Sequence, residues 1–334
     1  MPDNITLCTI PQIHSLLLKG TRFTITTHVN PDGDGLGSEL ALASALRQIG
    51  KSATIFNHNA TPENYRWIDP QHDLINFVPE RDGKIILQAD TIIIVDTNHP
   101  ERLRSLEPFI RQSAATKIVI DHHLEPNGFA HHYLIDDDAT STGELIYRIL
   151  CDLPGVTFNH DIARALYTAI ITDTGSFRYP RTDSDIHRIT AHLLDCGVDP
   201  TQVFVNVYEN WTPGRMRLLG EVLDSMKTAY EGKLAYVVCT QKMFKETGTN
   251  EVETDNFTTY PMSINGVVVG ILFNELQNGV KVSFRSKGDI PINALAKEFG
   301  GNGHLNAAGA RIFDARLDDI VQNVVKSAAK YLNT

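Results

Sequence analysis

T-R-F-T-I-T-T-H-V-N-P-D-G-D-G-L-G, residues 21–37, holds three side chains able to ligate a metal, His28, Asp32 and Asp34, within seven positions. Residues 22–27 alternate as a strand does and lead to His28. A loop broken by Pro31 and glycine follows, and a helical pattern begins near Leu36. Strand, turn and helix make the unit of an open α/β sheet, which binds ligands just past the carboxyl ends of its strands. Imidazole with carboxylates suits a borderline divalent ion such as manganese. Gly33 and Gly35 are expected to supply unusual backbone angles, letting Asp32 and Asp34 face different ions. The same residues also suit a P-D-G-D turn running into a helix N-cap, and this stretch alone does not choose between the readings.

Working outward, helical or strand patterns cover 10–19 (helix), 36–49 (helix), 52–57 (strand), 91–96 (T-I-I-I-V-D, buried strand) and 117–121 (K-I-V-I-D, buried strand). A helix opens at Pro100, where proline fits a first turn. Apolar strands alternating with helices predict a mainly parallel sheet with helices on both faces. After about residue 140 helical periodicity dominates, at 142–152, 160–172, 184–195, 201–209 and 213–226. Strand signals return at 234–240, 266–276 and 280–286, with helices at 291–299 and 317–332, which reads as a smaller α+β domain. The expected division is an α/β domain over 1–195, a helical linker or hinge over 196–226, and a second domain over 227–334, with a cleft between the two domains.

Three further acidic or histidine-bearing stretches complete the first. The strand at 91–96 ends in Asp96, the strand at 117–121 in Asp121-His122-His123, and the apolar helix before T-D-T-G-S-F delivers Asp173 into a glycine-containing turn. Each alone also suits a loop or capping role; His131-His132, for instance, looks the same as the earlier pair. Together they make a candidate two-metal site of His28, Asp32, Asp34, Asp96, His122 and Asp173. Two ions ~3.5–4 Å apart need a bridging carboxylate, and Asp96 is central. One ion would take His28, Asp32 and Asp96, and the other Asp34, Asp96, His122 and Asp173, with a hydroxide between them as nucleophile.

H-V-N-P-D-G-D, V-D-T, D-H-H and T-D-T-G-S-F resemble the four motifs of the DHH phosphoesterases. F-R-S at 284–286 and G-G-N-G-H-L-N-A-A-G at 300–309 resemble the DHH-associated domain that accompanies them. The resemblance spans nearly the whole chain and agrees with a two-manganese site, with magnesium or cobalt as other candidate ions. It implies that His123 contacts the substrate phosphate and that Asp121 orients the histidines. It assigns substrate binding in the second domain to Arg285, Ser286, Gly301, Gly303 and His304. Read from the residues, 300–304 is either an anion-binding nest of backbone N–H groups or a glycine turn closing the helix near Phe299. Asn302 stands where the family usually has glycine; asparagine tolerates left-handed backbone better than most. Arg102, Arg178 and Arg181 lie near the motifs and suit either phosphate contact or surface charge. Tyr260, Trp211 and Phe257 suit core packing better than stacking on a base.

Composition bounds the function. The chain has 334 residues, 42% hydrophobic and 21% charged, with net charge −10. Residues 1–225 carry 18 basic and 29 acidic side chains, a balance of −11, and residues 226–334 carry 12 and 11, a balance of +1. This argues against long duplex nucleic acid as a partner. The longest plainly apolar run, about seven residues at 267–273, falls far short of the ~20 a membrane span needs. No signal-like segment opens the chain. Cys8, Cys151, Cys196 and Cys239 are widely spaced, as buried thiols of a cytoplasmic protein would be. The family resemblance narrows to stand-alone enzymes that degrade very short oligoribonucleotides and remove the 3′-phosphate of adenosine 3′,5′-bisphosphate (pAp). The alternatives are a phosphodiesterase for linear or cyclic dinucleotides such as pApA and cyclic di-AMP, or a non-catalytic nucleotide sensor. The expected partners are short single-stranded RNA and nucleotides, without a membrane. A homodimer is compatible with the sequence.

Overall fold

The computed structural model describes residues 5–124 and 126–332, with the His304 side chain outside the described part. The chain divides between Asn210 and Trp211 into two compact units.

The first unit runs α1 (Ile10–Lys19), β1 (Arg22–Thr26), α2 (Gly33–Gln48), β2 (Ser52–Asn57), β3 (Leu74–Asn76), α3 (Pro79–Gln88), β4 (Thr91–Val95), α4 (Glu107–Gln112), β5 (Thr116–Asp121), β6 (His132–Ile135), α5 (Thr142–Cys151), α6 (His160–Asp173), α7 (Ser184–Asp195) and α8 (Pro200–Tyr208). Short 3-10 helices at Glu63–Ile68 and Pro100–Leu106 punctuate it. Its six strands pair in parallel in the order β3-β2-β1-β4-β5-β6. The chain winds outward from β1 to β3, returns to lay β4 beside β1, and winds out the other way. The reversal falls between β1 and β4, where an open sheet leaves a crevice at its carboxyl edge. Thr91–Val95 is buried at every position, as expected of a central parallel strand covered on both faces.

α2 is enclosed through most of its length. At Gly37 a Cβ would lie 2.3 Å from the Ala165 carbonyl oxygen, so α2 and α6 approach at backbone distance. The expectation for Gly33 and Gly35 is corrected here. Neither has the left-handed φ foreseen for it, and both lie inside α2, which starts three residues earlier than the hydrophobic pattern indicated. Their requirement is space: a Cβ would meet Thr172 Oγ1 at 2.5 Å from Gly33 and Thr27 Oγ1 at 2.4 Å from Gly35.

The second unit runs α9 (Pro213–Asp224), β7 (Lys227–Ala229), β8 (Leu234–Cys239), α10 (Gln241–Thr247), α11 (Thr259–Met262), β9 (Val269–Leu276), β10 (Gly279–Ser286), α12 (Ile292–Lys297), β11 (Asn302–His304), β12 (Ala307–Ile312) and α13 (Leu317–Leu332). Its sheet, ordered β11-β12-β10-β9-β8-β7, pairs antiparallel except for β8 with β9. Val203 and Val207 of α8 pack into the first core, whereas Leu218, Leu219 and Val222 of α9 pack within the second unit. The 196–226 stretch is thus divided between the two units. No described helix is long and apolar enough to cross a membrane.

Candidate metal centre

The carboxyl ends of β1, β4 and β5 bring the predicted ligands together. His28 follows β1, Asp96 follows β4, and Asp121 ends β5 with His122 and His123 directly after it. Asp96 has φ 59°. An aspartate tolerates this left-handed turn better than most residues, and it swings the carboxylate off the strand axis. Asp96 Oδ2 lies 3.1 Å from His28 Nε2. Its Oδ1 accepts from Thr142 Oγ1 at 3.2 Å and lies 3.7 Å from His122 Nε2 and 3.6 Å from His123 Nδ1.

Asp32 takes the capping role that the sequence left open and keeps one oxygen toward His28. Its Oδ1 caps α2, accepting from the Asp34 and Gly35 N–H groups at 3.1 and 3.3 Å. Its Oδ2 faces His28 Nε2 at 3.8 Å. Asp34 is buried, and its two oxygens accept from the first amides of α5, Thr142 and Gly143, each at 2.8 Å. Asp173 ends α6 with Oδ2 3.3 Å from His122 Nε2, and Asp34 Oδ2 lies 3.8 Å from the same nitrogen. Among the described residues, donor atoms lie within metal-binding range in three groups: His28, Asp32 and Asp96; Asp34, His122 and Asp173; and Asp96, His122 and His123.

The histidine tautomers suit a metal. His28 Nδ1 faces the Val29 carbonyl at 2.9 Å and His122 Nδ1 the Ala139 carbonyl at 3.4 Å. A carbonyl only accepts, so each Nδ1 carries a proton and each Nε2 is the nitrogen turned toward the carboxylates. Burial holds His122 below its ordinary pKa, in the neutral form that a ligand requires. Burial would lower His28 as well, but the Asp96 hydrogen bond and the Asp32 and Asp96 charges outweigh it and raise the pKa. The Asp96 carboxyl, which burial would raise, is held well below its ordinary value by the His28 hydrogen bond and by the charges of His28 and His123. Burial and then the charges of Asp96, Asp173 and Asp32 push Asp34 well above the ordinary range; burial, Asp96 and Asp32 do the same to Asp173. Buried carboxylates that repel one another in this way are relieved by a divalent cation among them. The donor set therefore fits metal binding.

Asp121 is fully buried, and its Oδ1 accepts from the His123 N–H at 3.2 Å and from His123 Nδ1 at 2.7 Å. Burial opposes a charge on His123, but the Asp121 hydrogen bond and the Asp121 and Asp96 charges raise its pKa to about 9. The second histidine pair lies elsewhere: His132 faces Cys8 at 3.6 Å. Sequence reasoning missed three supports, namely the α5 amides under Asp34, the Thr142 hydroxyl on Asp96, and Asn98, whose amide donates to the His123 carbonyl at 2.9 Å. Ser141-Thr142-Gly143-Glu144 has the spacing of a helix N-terminus and was the available signal for the first, since such a terminus attracts an anion.

In the second unit the residues separate. β10 alternates, so Phe284 and Ser286 turn into the core while Arg285 is half-buried. The Ser286 hydroxyl donates to the Ile290 carbonyl at 2.8 Å and accepts from Asn306 Nδ2 at 2.9 Å. The hydroxyl is thus engaged within the turn around 286–306. Gly300 has φ 72°, and Gly301 donates its N–H to the Ala296 carbonyl at 2.9 Å. That bond closes α12, as the helix-closing reading of this turn expects. Gly303 and Asn302 continue into β11, and the predicted contact through the His304 side chain lies outside the described residues. Trp211, Phe257 and Tyr260 pack together in the core of this unit.

The model of the DHH family, N-terminal domain, matches residues 22–170, and that of the DHHA1 domain matches residues 231–330. The bifunctional oligoribonuclease and PAP phosphatase NrnA of Thermus thermophilus is 30% identical over 92% of this chain and 89% of its own length. The protein of the same description from Bacillus subtilis is 27% identical over 86% and 88%. The crystal structure of an exopolyphosphatase-related protein from Bacteroides fragilis superposes with a TM-score of 0.92 at 29% identity, covering 97% of each chain. Motifs, strand-end ligands and likeness along most of the length converge, and the chain belongs to the DHH family of phosphoesterases, with a DHHA1 domain following its DHH domain.

Proposed function

We propose that the chain hydrolyses very short oligoribonucleotides to mononucleotides and removes the 3′-phosphate of pAp, using two divalent cations, manganese foremost. The observation that carries this reading is the position of Asp96, whose carboxylate lies against His28 on one side and His122 on the other. His28, Asp32 and Asp96 would hold one ion, and Asp34, Asp96, His122 and Asp173 the other. Ions bound there would supply Lewis acidity toward phosphoryl oxygens and lower the pKa of water. The remaining work falls to the chain. The α5 amides hold Asp34 in place, Thr142 holds Asp96, and Asp121 fixes the His123 ring for contact with the phosphate. Arg285 offers a planar fork to a neighbouring phosphate. Likeness to relatives described as oligoribonuclease and PAP phosphatase favours this substrate class, and we assign the activity to the cytoplasm.

The test is a substrate panel with manganese: labelled RNA of two to twenty-four nucleotides, pAp, linear and cyclic dinucleotides, and pyrophosphate. Turnover should be greatest on two- to five-nucleotide RNA and on pAp. Faster turnover of cyclic dinucleotides, or binding without turnover, would replace the proposal by the corresponding alternative.

A further inference from the structure

We propose that Arg102 contacts a non-bridging oxygen of the phosphoryl group under attack, a role that rests on the phosphoester-cleaving reading of the metal centre. Arg102 lies in the Pro100–Leu106 turn, which Pro100, Leu103 and Leu106 anchor in the core. Its carbonyl accepts from the Val29 N–H at 2.8 Å, and its own N–H donates to the His99 carbonyl at 3.1 Å. The residue is thereby pinned to the chain segment that immediately follows His28.

Its side chain is half-buried, yet among the described residues it has no hydrogen bond and no ion pair. The adjacent acid, Glu101, is engaged with His99 at 3.2 Å. Three other arginines, Arg104, Arg217 and Arg316, are similarly without such partners among the described residues, but all three are exposed. Water solvates those; it does so incompletely for Arg102. A guanidinium has five donors and always carries its charge, so leaving it partly desolvated and unpaired is costly. Such a group is explained when a ligand brings the acceptors.

The location names the ligand's chemistry. The Val29-to-Arg102 backbone bond sets this residue next to the turn that carries His28, whose imidazole and the Asp96 carboxylate form one side of the metal centre. A dianionic or monoanionic phosphoryl group seated there matches the guanidinium fork in geometry and sign.

Arg102→Ala and Arg102→Lys are compared with the wild-type chain in manganese, on bis-p-nitrophenyl phosphate and on pAp. The alanine variant should lose about a hundredfold in kcat/KM, the scale on which one preorganised donor to a transition state acts. It should keep its manganese stoichiometry by calorimetry and recover part of the loss when guanidinium chloride is added at millimolar concentration. A kcat/KM within fivefold of wild type on bis-p-nitrophenyl phosphate would overturn the proposal, as would a loss that tracks lost manganese and resists guanidinium. If the alanine variant does not fold, Arg102→Lys decides: it keeps stem and charge but not the fork, so a loss of at least fivefold supports the role and a smaller one overturns it. The small diester reports on Arg102 even if the wild-type chain ignores RNA and pAp, so failure of the substrate assignment is distinguishable.

Discussion

The Gly143 amide donates to Asp34 Oδ1 at 2.8 Å, and the same glycine has no room for a Cβ, which would lie 2.5 Å from the Ala169 Cβ and 3.3 Å from Asp34 Oδ1 itself. One residue thus sets both the packing of α5 on α6 and the seat of a predicted ligand. Gly143→Ala should destabilise the first unit by ~1–3 kcal/mol through overpacking and weaken manganese binding together with turnover. Denaturant unfolding and calorimetry check this. An unchanged midpoint with unchanged metal uptake would show that the helices yield here at no cost.

Asp96→Ala should abolish turnover by several orders of magnitude while the fold persists, because β4 keeps its five buried apolar and β-branched residues. A purified variant with more than a tenth of wild-type turnover would end the bridging assignment.

Neighbours on β10 should behave oppositely. Ser286→Ala leaves the Ile290 carbonyl and the Asn306 amide short of a partner and should cost ~1–2 kcal/mol of stability with turnover preserved. Arg285→Ala should preserve stability and lower kcat/KM on pAp at least tenfold, with a smaller effect on bis-p-nitrophenyl phosphate. Equal losses on both substrates would remove Arg285 from phosphate recognition.

Glu251 gives the second unit an acid-sensitive contact. Burial would raise its carboxyl, but the Arg311 hydrogen bond and the Lys281 and Arg311 charges hold it below its ordinary value of 4.5. A depressed folded pKa stabilises above the unfolded value, and the contribution is lost as pH falls from about 4.5 through the folded pKa. Its partners are partly exposed, so solvent screening limits the effect to ~0.5–1 kcal/mol. Glu251→Gln should lower stability at pH 7 by that amount and flatten its decline below pH 4.5. Parallel pH profiles for the two proteins would contradict the assignment.

RNA length should add little affinity. Each phosphate neutralised on a single strand contributes ~0.7 to the log–log salt slope, and the balance of −11 over residues 1–225 leaves few cations to neutralise a third or fourth phosphate. Binding of 3-mer and 24-mer RNA to a catalytically dead variant should give slopes of roughly −1 to −2. A 24-mer bound tenfold tighter, with a slope steeper than about −4, would reveal a basic track dispersed along the sequence.

From its sequence alone, this protein's central strands, the longer helices after residue 140 and the clustering of ligand types at strand ends were already legible. These features are local: periodicity is written in consecutive residues, and an acid or histidine following an apolar run marks a strand's end. The short strands β3, β6, β7, β11 and β12 were not legible, because three to six residues carry too little periodicity to stand apart from a loop. Their pairing comes from neighbours distant in sequence. The use of Gly33 and Gly35 was misread, since a glycine reads alike whether it supplies a rare φ or yields space to Thr172 and Thr27. Tertiary structure likewise decided which partner each polar group keeps. Ser286 and the Gly301 amide look available in sequence, but the fold brings Asn306 to the one and the Ala296 carbonyl to the other. Arg102 shows the converse: in sequence it suits phosphate contact or surface charge alike, and packing joins its neighbour Glu101 to His99 and leaves the guanidinium half-buried. A side chain's chemistry is fixed by its residue type, but the acceptors within 3 Å of it are set by which distant segments the core brings into contact.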